Sequence, residues 1–270
     1  MNHPNRLTAI YLPHGGGPWP WMDPGGFFDD REGRALTDYL AGIPKQLAAP
    51  PKAMVVVSAH WEAPVPTVMT AAKPPMLYDY YGFPKSTYEI TWPAPGAPAV
   101  AARVRELLGK ANIPSAEDTS RGFDHGTFVP LKLTFPNADI PTLQLSLQEG
   151  LDPARHLEIG RALAPLRDEG VLLVGSGMSY HNLREFRRHG GATVSNEFDA
   201  WLQRAVLAEP AARAQELTRW AAAPSARAAH PREEHLLPLM VIAGAAGDDH
   251  AKVAYSDTFA GARITAFHFG

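Results

Sequence analysis

Apolar positions along this chain fall into short runs of two kinds, separated by stretches rich in glycine and proline. Leu7 to Leu12 is mostly apolar and stops at Pro13, which predicts a short buried strand. Ala53 to Ala59 contains Met54-Val55-Val56-Val57, a β-branched run suited to a central strand covered on both faces, and His60 is expected to terminate it. Pro64 to Ala71, Pro141 to Leu147 and Val171 to Val174 read as further strands, and Arg263 to Phe269 alternates like a closing one. Between them, apolar residues recur at helical spacing. Arg34 to Leu47 carries Leu36, Tyr39, Leu40, Ile43 and Leu47 on one face, although Gly42 and Pro44 weaken its second half. Ala97 to Ala111, Pro153 to Glu169, Glu197 to Leu207 and Ala211 to Ala222 also read as helices, and His230 to Ala243 reads as one opened by Pro231. Tyr78 to Trp92, aromatic and punctuated by Gly and Pro, is expected to be a long ordered loop. Strands alternating with helices predict one α/β domain over residues 1–270, a central mixed, mostly parallel sheet flanked by helices.

Composition narrows the chemistry. With 270 residues, 45% of them hydrophobic, the chain can bury one sizeable core. A formal charge of -3 gives no reason to expect nucleic acid or an anionic membrane as partner. The first ten residues lack a basic start and an apolar stretch, and no run of eighteen apolar residues occurs, so the expected location is the cytoplasm and the expected partner a small molecule. Oligomeric state is left open. The absence of cysteine excludes disulfides, thiolate metal sites, iron-sulfur clusters and a Cys nucleophile, so any metal must rest on His, Asp or Glu. There is no P-loop and no Gly-x-Gly-x-x-Gly opening a helix after a strand.

The 11 histidines change the picture because several follow predicted strands. Ligands of open α/β sheets bind beyond the carboxyl ends of the strands, so residues ending separate strands converge there. His14, in His14-Gly15-Gly16-Gly17-Pro18, His60, and His181, after Gly175-Ser176-Gly177, all fit that description. Their bland alternatives are an incidental His in a turn and buried imidazoles bonded to backbone carbonyls. His235, in Glu233-Glu234-His235-Leu236-Leu237-Pro238, is a further candidate ligand, with Glu233 or Glu234 as its competitor in a two-His-one-carboxylate set. His125 lies in Gly122-Phe123-Asp124-His125-Gly126, where Asp124 either orients an imidazole or caps the following helix. His230 is expected to lie at a solvated helix N-terminus. Trp61, Tyr80 and Tyr180 are candidates for an aromatic pocket wall, with ordinary core packing as the alternative.

These motifs, taken with Leu12-Pro13-His14, Val57-Ser58-Ala59-His60-Trp61 and Tyr78-Asp79-Tyr80-Tyr81-Gly82-Phe83-Pro84, resemble in order and combination the class III extradiol ring-cleaving dioxygenases. The resemblance runs nearly end to end and is to the DOPA-dioxygenase-like branch, related to the catalytic subunit of protocatechuate 4,5-dioxygenase. It implies that His14 and His60 are metal ligands and that His235 takes a third position that the protocatechuate branch fills with glutamate. It also implies that His181 is the catalytic base and that His125 is a second active-site histidine near substrate and oxygen. A small catechol-type aromatic, DOPA-like or another dihydroxyphenyl compound, would be the substrate beside O2, with Fe(II) the expected metal. Three imidazoles are also compatible with Zn(II) in purified protein. Two alternatives are weighed against this reading: a Zn-dependent hydrolase on the same histidines, which lacks the support of an HExxH or Gly-x-Ser-x-Gly motif, and a non-catalytic binding protein of the same fold. Arg121, Arg184 and Lys132 are unranked candidates for anchoring a substrate carboxylate.

Overall fold

The structure is a computed structural model and describes residues 6–22, 30–185 and 189–270. In chain order the strands are β1 Ala9–Pro13, β2 Ala53–Ala63, β3 Thr67–Met69, β4 Ala116–Asp118, β5 Thr142–Gln148, β6 Val171–Gly177, β7 Ala251–Phe259 and β8 Ala262–Phe269. The helices are α1 Asp30–Gly42, α2 Pro98–Lys110, α3 His125–Thr134, α4 Pro153–Leu163, α5 Pro165–Asp168, α6 His189–Leu207, α7 Pro210–Thr218, α8 Ala226–Ala229 and α9 Leu237–Ala246. One sheet forms in the order β4-β3-β5-β2-β6-β1-β8-β7. Its centre is parallel, with β2 between β5 and β6 and β6 beside β1, while β8 and β7 close one side antiparallel. The apolar runs of β1, β2, β5 and β6 lie in this parallel centre and are buried on both faces, as helix-covered parallel strands require. The sheet is the mixed, mostly parallel one that the sequence predicts.

Several elements differ from expectation, each for a local reason. β2 does not end at His60. It continues to Ala63, but its pairing with β5 shifts register between Val57 and Glu62, an irregularity of the kind that re-aims a side chain without ending a strand. The helix expected from His230 begins only at Leu237, with Pro238 in its first turn, and His230 instead terminates α8. α9 is buried along its whole length and apolar all round, so no amphipathic stripe marks its start. The helix expected over Pro153 to Glu169 breaks before Pro165, whose ring cannot continue the hydrogen-bond ladder, and the one from Arg34 tightens at Ile43-Pro44 into a 3-10 turn. β7 went unread because it is a half-exposed edge strand of mixed composition, Ala251-Lys252-Val253-Ala254-Tyr255-Ser256-Asp257.

Candidate metal centre

β1 and β6 run parallel and end side by side, with Pro13 opposite Gly177. His14 leaves β1 there, and its backbone N–H still donates to the Gly177 carbonyl at 3.1 Å. The next residue must turn back sharply. Gly15 does so at a φ of +79°, with the Trp19 ring where a Cβ would stand and the Trp19 indole N–H donating to the His14 carbonyl at 2.9 Å. Gly177 has a different reason to be glycine: a Cβ there would lie 2.2 Å from the His235 carbonyl, so the segment carrying His235 crosses directly over the end of β6.

Five chain segments thus deliver five imidazoles to one place, with Asp124 capping α3 immediately before His125 by accepting from the Thr127 N–H. The rings of His14, His60 and His235 form a triangle with centroids 4.9, 5.2 and 4.9 Å apart, and one nitrogen from each lies within 4.8 Å of the others. His125 stands 4.0 Å from the His60 ring, and His181 stacks on His235 at 3.4 Å.

The ring nitrogens divide cleanly. The Nε2 atoms of His14 and His60 face each other at 3.2 Å, and His235 Nε2 is buried with no hydrogen-bond partner. Every Nδ1 is directed elsewhere: His14 to Ser176 Oγ at 3.2 Å, His60 to Asp79 at 3.5 Å, and His235 to Glu234 at 2.9 Å. Ser176 donates its own proton to the Gly126 carbonyl, so it accepts from His14. Carboxylates accept only. This assigns the Nδ1–H tautomer to all three rings and leaves three Nε2 lone pairs converging, the arrangement by which outer residues orient imidazole ligands. Burial first, and then the nearness of other imidazoles, pushes His14, His60 and His235 well below the ordinary histidine range, so the three are neutral at pH 7 as metal ligation requires. A buried donor atom without a partner is costly, and a cation at this point removes that cost. The residues fit a divalent metal that takes nitrogen ligands.

Two carboxylates each serve a pair of rings. Asp79 accepts from the N–H and Nδ1 of His125 at 2.9 and 2.8 Å while facing His60, and Glu234 stands between His235 and His181, 3.5 Å from His181 Nδ1. Burial raises the Asp79 pKa, but the bond to His125 and the neighbouring imidazoles outweigh it and hold Asp79 at about 2. Glu234 is likewise kept below its usual range, burial being overcome by the His181 bond and by Arg232. Glu234, weighed from sequence as a ligand, is therefore already committed to two Nδ1 atoms, and Glu233 pairs with Arg227.

A cavity of about 600 Å³ opens above the five rings, within the size range of small-molecule sites. Tyr80 lines it, beside Phe83, Met178 and Phe259, and the Tyr80 hydroxyl turns away to donate to the Thr87 carbonyl. Trp61 and Tyr180 are not brought to its wall. Trp61 is buried under the Arg121 guanidinium, 4.4 Å from its ring centre, and Tyr180 lies in the core. Of the candidate carboxylate anchors, none lines the cavity: Arg121 bonds Asp124 and the His60 carbonyl, Lys132 bonds the Thr91 carbonyl, and Arg184 is exposed. His230 is a correction. It is fully buried between Phe198 and Trp220 and bonded through Nε2 to the Ser179 carbonyl, because the chain enters α9 seven residues later than expected. Sequence reasoning passed over Asp79 and Ser176 as functional residues. A lone carboxylate inside the aromatic stretch Tyr78 to Tyr81 was the available signal for the first.

Residues 8–267 match the family model described as the catalytic LigB subunit of aromatic ring-opening dioxygenase. The chain is 45% identical over 203 residues to a 4,5-DOPA dioxygenase extradiol of Portulaca grandiflora, covering 73% of this chain and 74% of that protein. It is 39% identical over 244 residues to the 4,5-DOPA dioxygenase extradiol of Escherichia coli K12, covering 89% and 85%. A dioxygenase of Hapsidospora irregularis, tasH, is 38% identical over 97% of this chain and 85% of its own length. In three dimensions the chain is similar to a crystal structure of an uncharacterized protein from Escherichia coli K12, with a TM-score of 0.80, 31% identity, and coverage of 98% of this chain and 100% of that one.

Proposed function

This chain belongs to the family of the catalytic LigB subunit of aromatic ring-opening dioxygenases and is an extradiol dioxygenase, and on that premise we propose that it opens a catechol-type ring at Fe(II) held by His14, His60 and His235. The observation that carries the assignment is the convergence of three neutral Nε2 atoms, one of them orphaned, beneath a cavity whose floor holds two further imidazoles. When bound, Fe(II) supplies a centre that binds both catechol oxygens and O2 and lets electrons pass between them.

The chain's own part is to orient and to move protons. A catechol must lose a proton to chelate a metal, and His181 is the acceptor: Glu234 engages its Nδ1, which leaves Nε2 for the substrate hydroxyl. Charge appearing on His181 is stabilised by the same carboxylate, a His-carboxylate arrangement like that of other general bases. His125 donates its Nδ1–H to Asp79, so its Nε2 holds a lone pair towards the cavity that can take a proton from substrate or an oxygen species, with Asp79 stabilising the charge that results. Tyr80, Phe83, Met178 and Phe259 present hydrocarbon surface to the ring and keep water from the reacting atoms. Zn(II) fits the same three nitrogens and, lacking redox chemistry, gives inactive protein.

The test is anaerobic reconstitution with Fe(II), followed by O2 uptake and absorbance assays on a panel of catechols bearing alkyl, carboxyl and amino-acid substituents, with Zn(II)-loaded protein as control. Fe(II)-dependent uptake of one O2 per ring opened supports the reading, and the panel ranks substrates. No uptake with any catechol rejects it.

A further inference from the structure

Where the register of β2 slips, the backbone of His60 loses its place in the sheet ladder, and something else must hold it. Its N–H donates to Ser58 Oγ at 3.2 Å, and its carbonyl accepts from Arg121 Nη2 at 3.2 Å. Both partners are themselves held by one side chain. Ser58 Oγ donates to Asp124 Oδ1 at 2.8 Å, and the same Arg121 Nη2 donates to Asp124 Oδ2 at 2.9 Å. Asp124 is completely buried and accepts two more bonds, from Gln144 Nε2 at 2.6 Å and from the Thr127 N–H at 3.2 Å, the second of which caps α3. Gln144 also accepts from the Asp124 N–H at 3.0 Å, so the carboxylate is tied to β5 as well.

We propose that Asp124 is the positioning residue of the metal centre: one buried carboxylate that fixes the irregular backbone of His60 from both sides and, through the same oxygens, sets the first turn of α3 on which His125 stands. It touches neither metal nor substrate and acts through Ser58, Arg121 and the helix cap. A caps-only role needs one acceptor at the Thr127 N–H. Here four donors are aimed at the side chain, and two of those four are the groups that bond His60. A fully buried carboxylate that accepts four bonds fixes the groups donating to it, since any neutral replacement leaves donors unpaired. This rests on His60 being a ligand, as argued above.

Asp124→Asn keeps the shape and still offers Thr127 an oxygen, but its amide turns one accepting edge into a donor and collides electrostatically with Arg121 and Gln144. The readout is Co(II) binding by calorimetry and by the visible spectrum of the bound ion, measured beside the thermal midpoint. The control is Asp199→Asn, a second buried carboxylate, bonded to Thr265 and Gln203 and to none of the five cavity histidines. The proposal expects Asp124→Asn to weaken Co(II) affinity by about 10- to 100-fold and to alter the spectrum, and Asp199→Asn to lower the midpoint with affinity unchanged. Should Asp124→Asn fail to fold, Ser58→Ala, which removes only the His60 N–H acceptor and one donor, is expected to weaken affinity by about threefold or more. A folded Asp124→Asn or Ser58→Ala protein that binds Co(II) like the parent, with the parent spectrum, overturns the proposal. If every variant, Ser58→Ala included, binds like the parent while His60→Ala also binds like the parent, it is the ligand assignment that fails instead.

Discussion

The two ends of β1 are both buried, both polar and built on opposite principles. At its amino end Arg167 is fully buried, and all five of its N–H groups have partners: Nε donates to the Leu7 carbonyl, Nη1 to those of Ala245 and Ala246, and Nη2 to that of Phe269 and to Asp249. At its carboxyl end, five residues away, His14 joins four other imidazoles whose Nδ1 atoms face carboxylates, while the Nε2 atoms of His14 and His60 face each other and that of His235 has no partner. The first is a closed network that joins the start of β1 to α9 and β8. The second is an open one, finished only by something the chain does not supply. Satisfied buried polar groups hold a fold together, and unsatisfied ones that converge beneath a cavity mark a candidate ligand site.

The sharpest way to break that contrast is to exchange the effects. His60→Ala removes a converging Nε2, and we expect loss of metal retention and of all measurable turnover with an apo-protein midpoint close to the parent's, read by metal analysis, O2 uptake and calorimetry. His181→Ala is expected to keep the metal and lose about 10²- to 10⁴-fold in kcat, the usual worth of a general base. Metal loss in that variant would make His181 a ligand. At the closed end the pattern reverses: Arg167→Ala leaves Asp249 with Arg6 as its remaining partner and takes the donor from several buried carbonyls, and it is expected to cost about 3 kcal/mol in urea unfolding, while the metal content of the folded fraction is unchanged. Asp79→Asn, which weakens the orientation of both His60 and His125, is expected to reduce metal affinity or turnover by about 10- to 100-fold, with a far smaller change in stability.

A smaller effect concerns imidazoles outside the cavity. His230 and His268 are pushed down to about 4, chiefly by burial, whereas the unfolded chain titrates near 6.5. Above pH 6.5 neither state carries the proton and the groups have no effect on folding. As pH falls from 6.5 towards 4 the unfolded chain binds protons that the folded one refuses, so stability is lost, at up to about 1.4 kcal/mol per pH unit for each group. Urea titrations at pH 7, 6 and 5 are expected to show this slope, reduced by about one proton in His268→Gln. A flat profile would mean that these rings are accessible in the folded state.

How much of this was legible in the chain follows the same division. The parallel centre of the sheet was readable because strands buried on both faces are continuous apolar runs, as in Met54-Val55-Val56-Val57 and Val171-Leu172-Leu173-Val174. The five histidines of the cavity were readable because His14 sits beside an obligatory turn at Gly15 and His181 follows a strand end, and because the motifs resemble a known family. What was not readable depended on side chains meeting across the fold. Asp79 reaches His125 over 46 residues, Ser176 reaches His14 over 162, and Trp61 turns towards Arg121 and not the cavity within the segment of β2 where the register against β5 slips, from Val57 opposite Leu145 to Glu62 opposite Leu147. His230 and His235 lie five residues apart, and each has one bonded and one unpartnered nitrogen, yet the unpartnered Nδ1 of His230 lies in the core while the unpartnered Nε2 of His235 lies in the histidine cluster. Only the placement of α9 separates them.

Among the described residues, three triplets of potential donors lie close enough to hold one ion: His14 with His60 and His235, His60 with Asp79 and His125, and His181 with Glu234 and His235. Anomalous diffraction from crystals loaded anaerobically with Fe(II), recorded above and below the iron edge, distinguishes them directly. The account predicts a single iron peak at bonding distance from the Nε2 atoms of His14, His60 and His235, with Asp79 and Glu234 still on the outer Nδ1 atoms. A peak ligated by Asp79 or by Glu234 would contradict it.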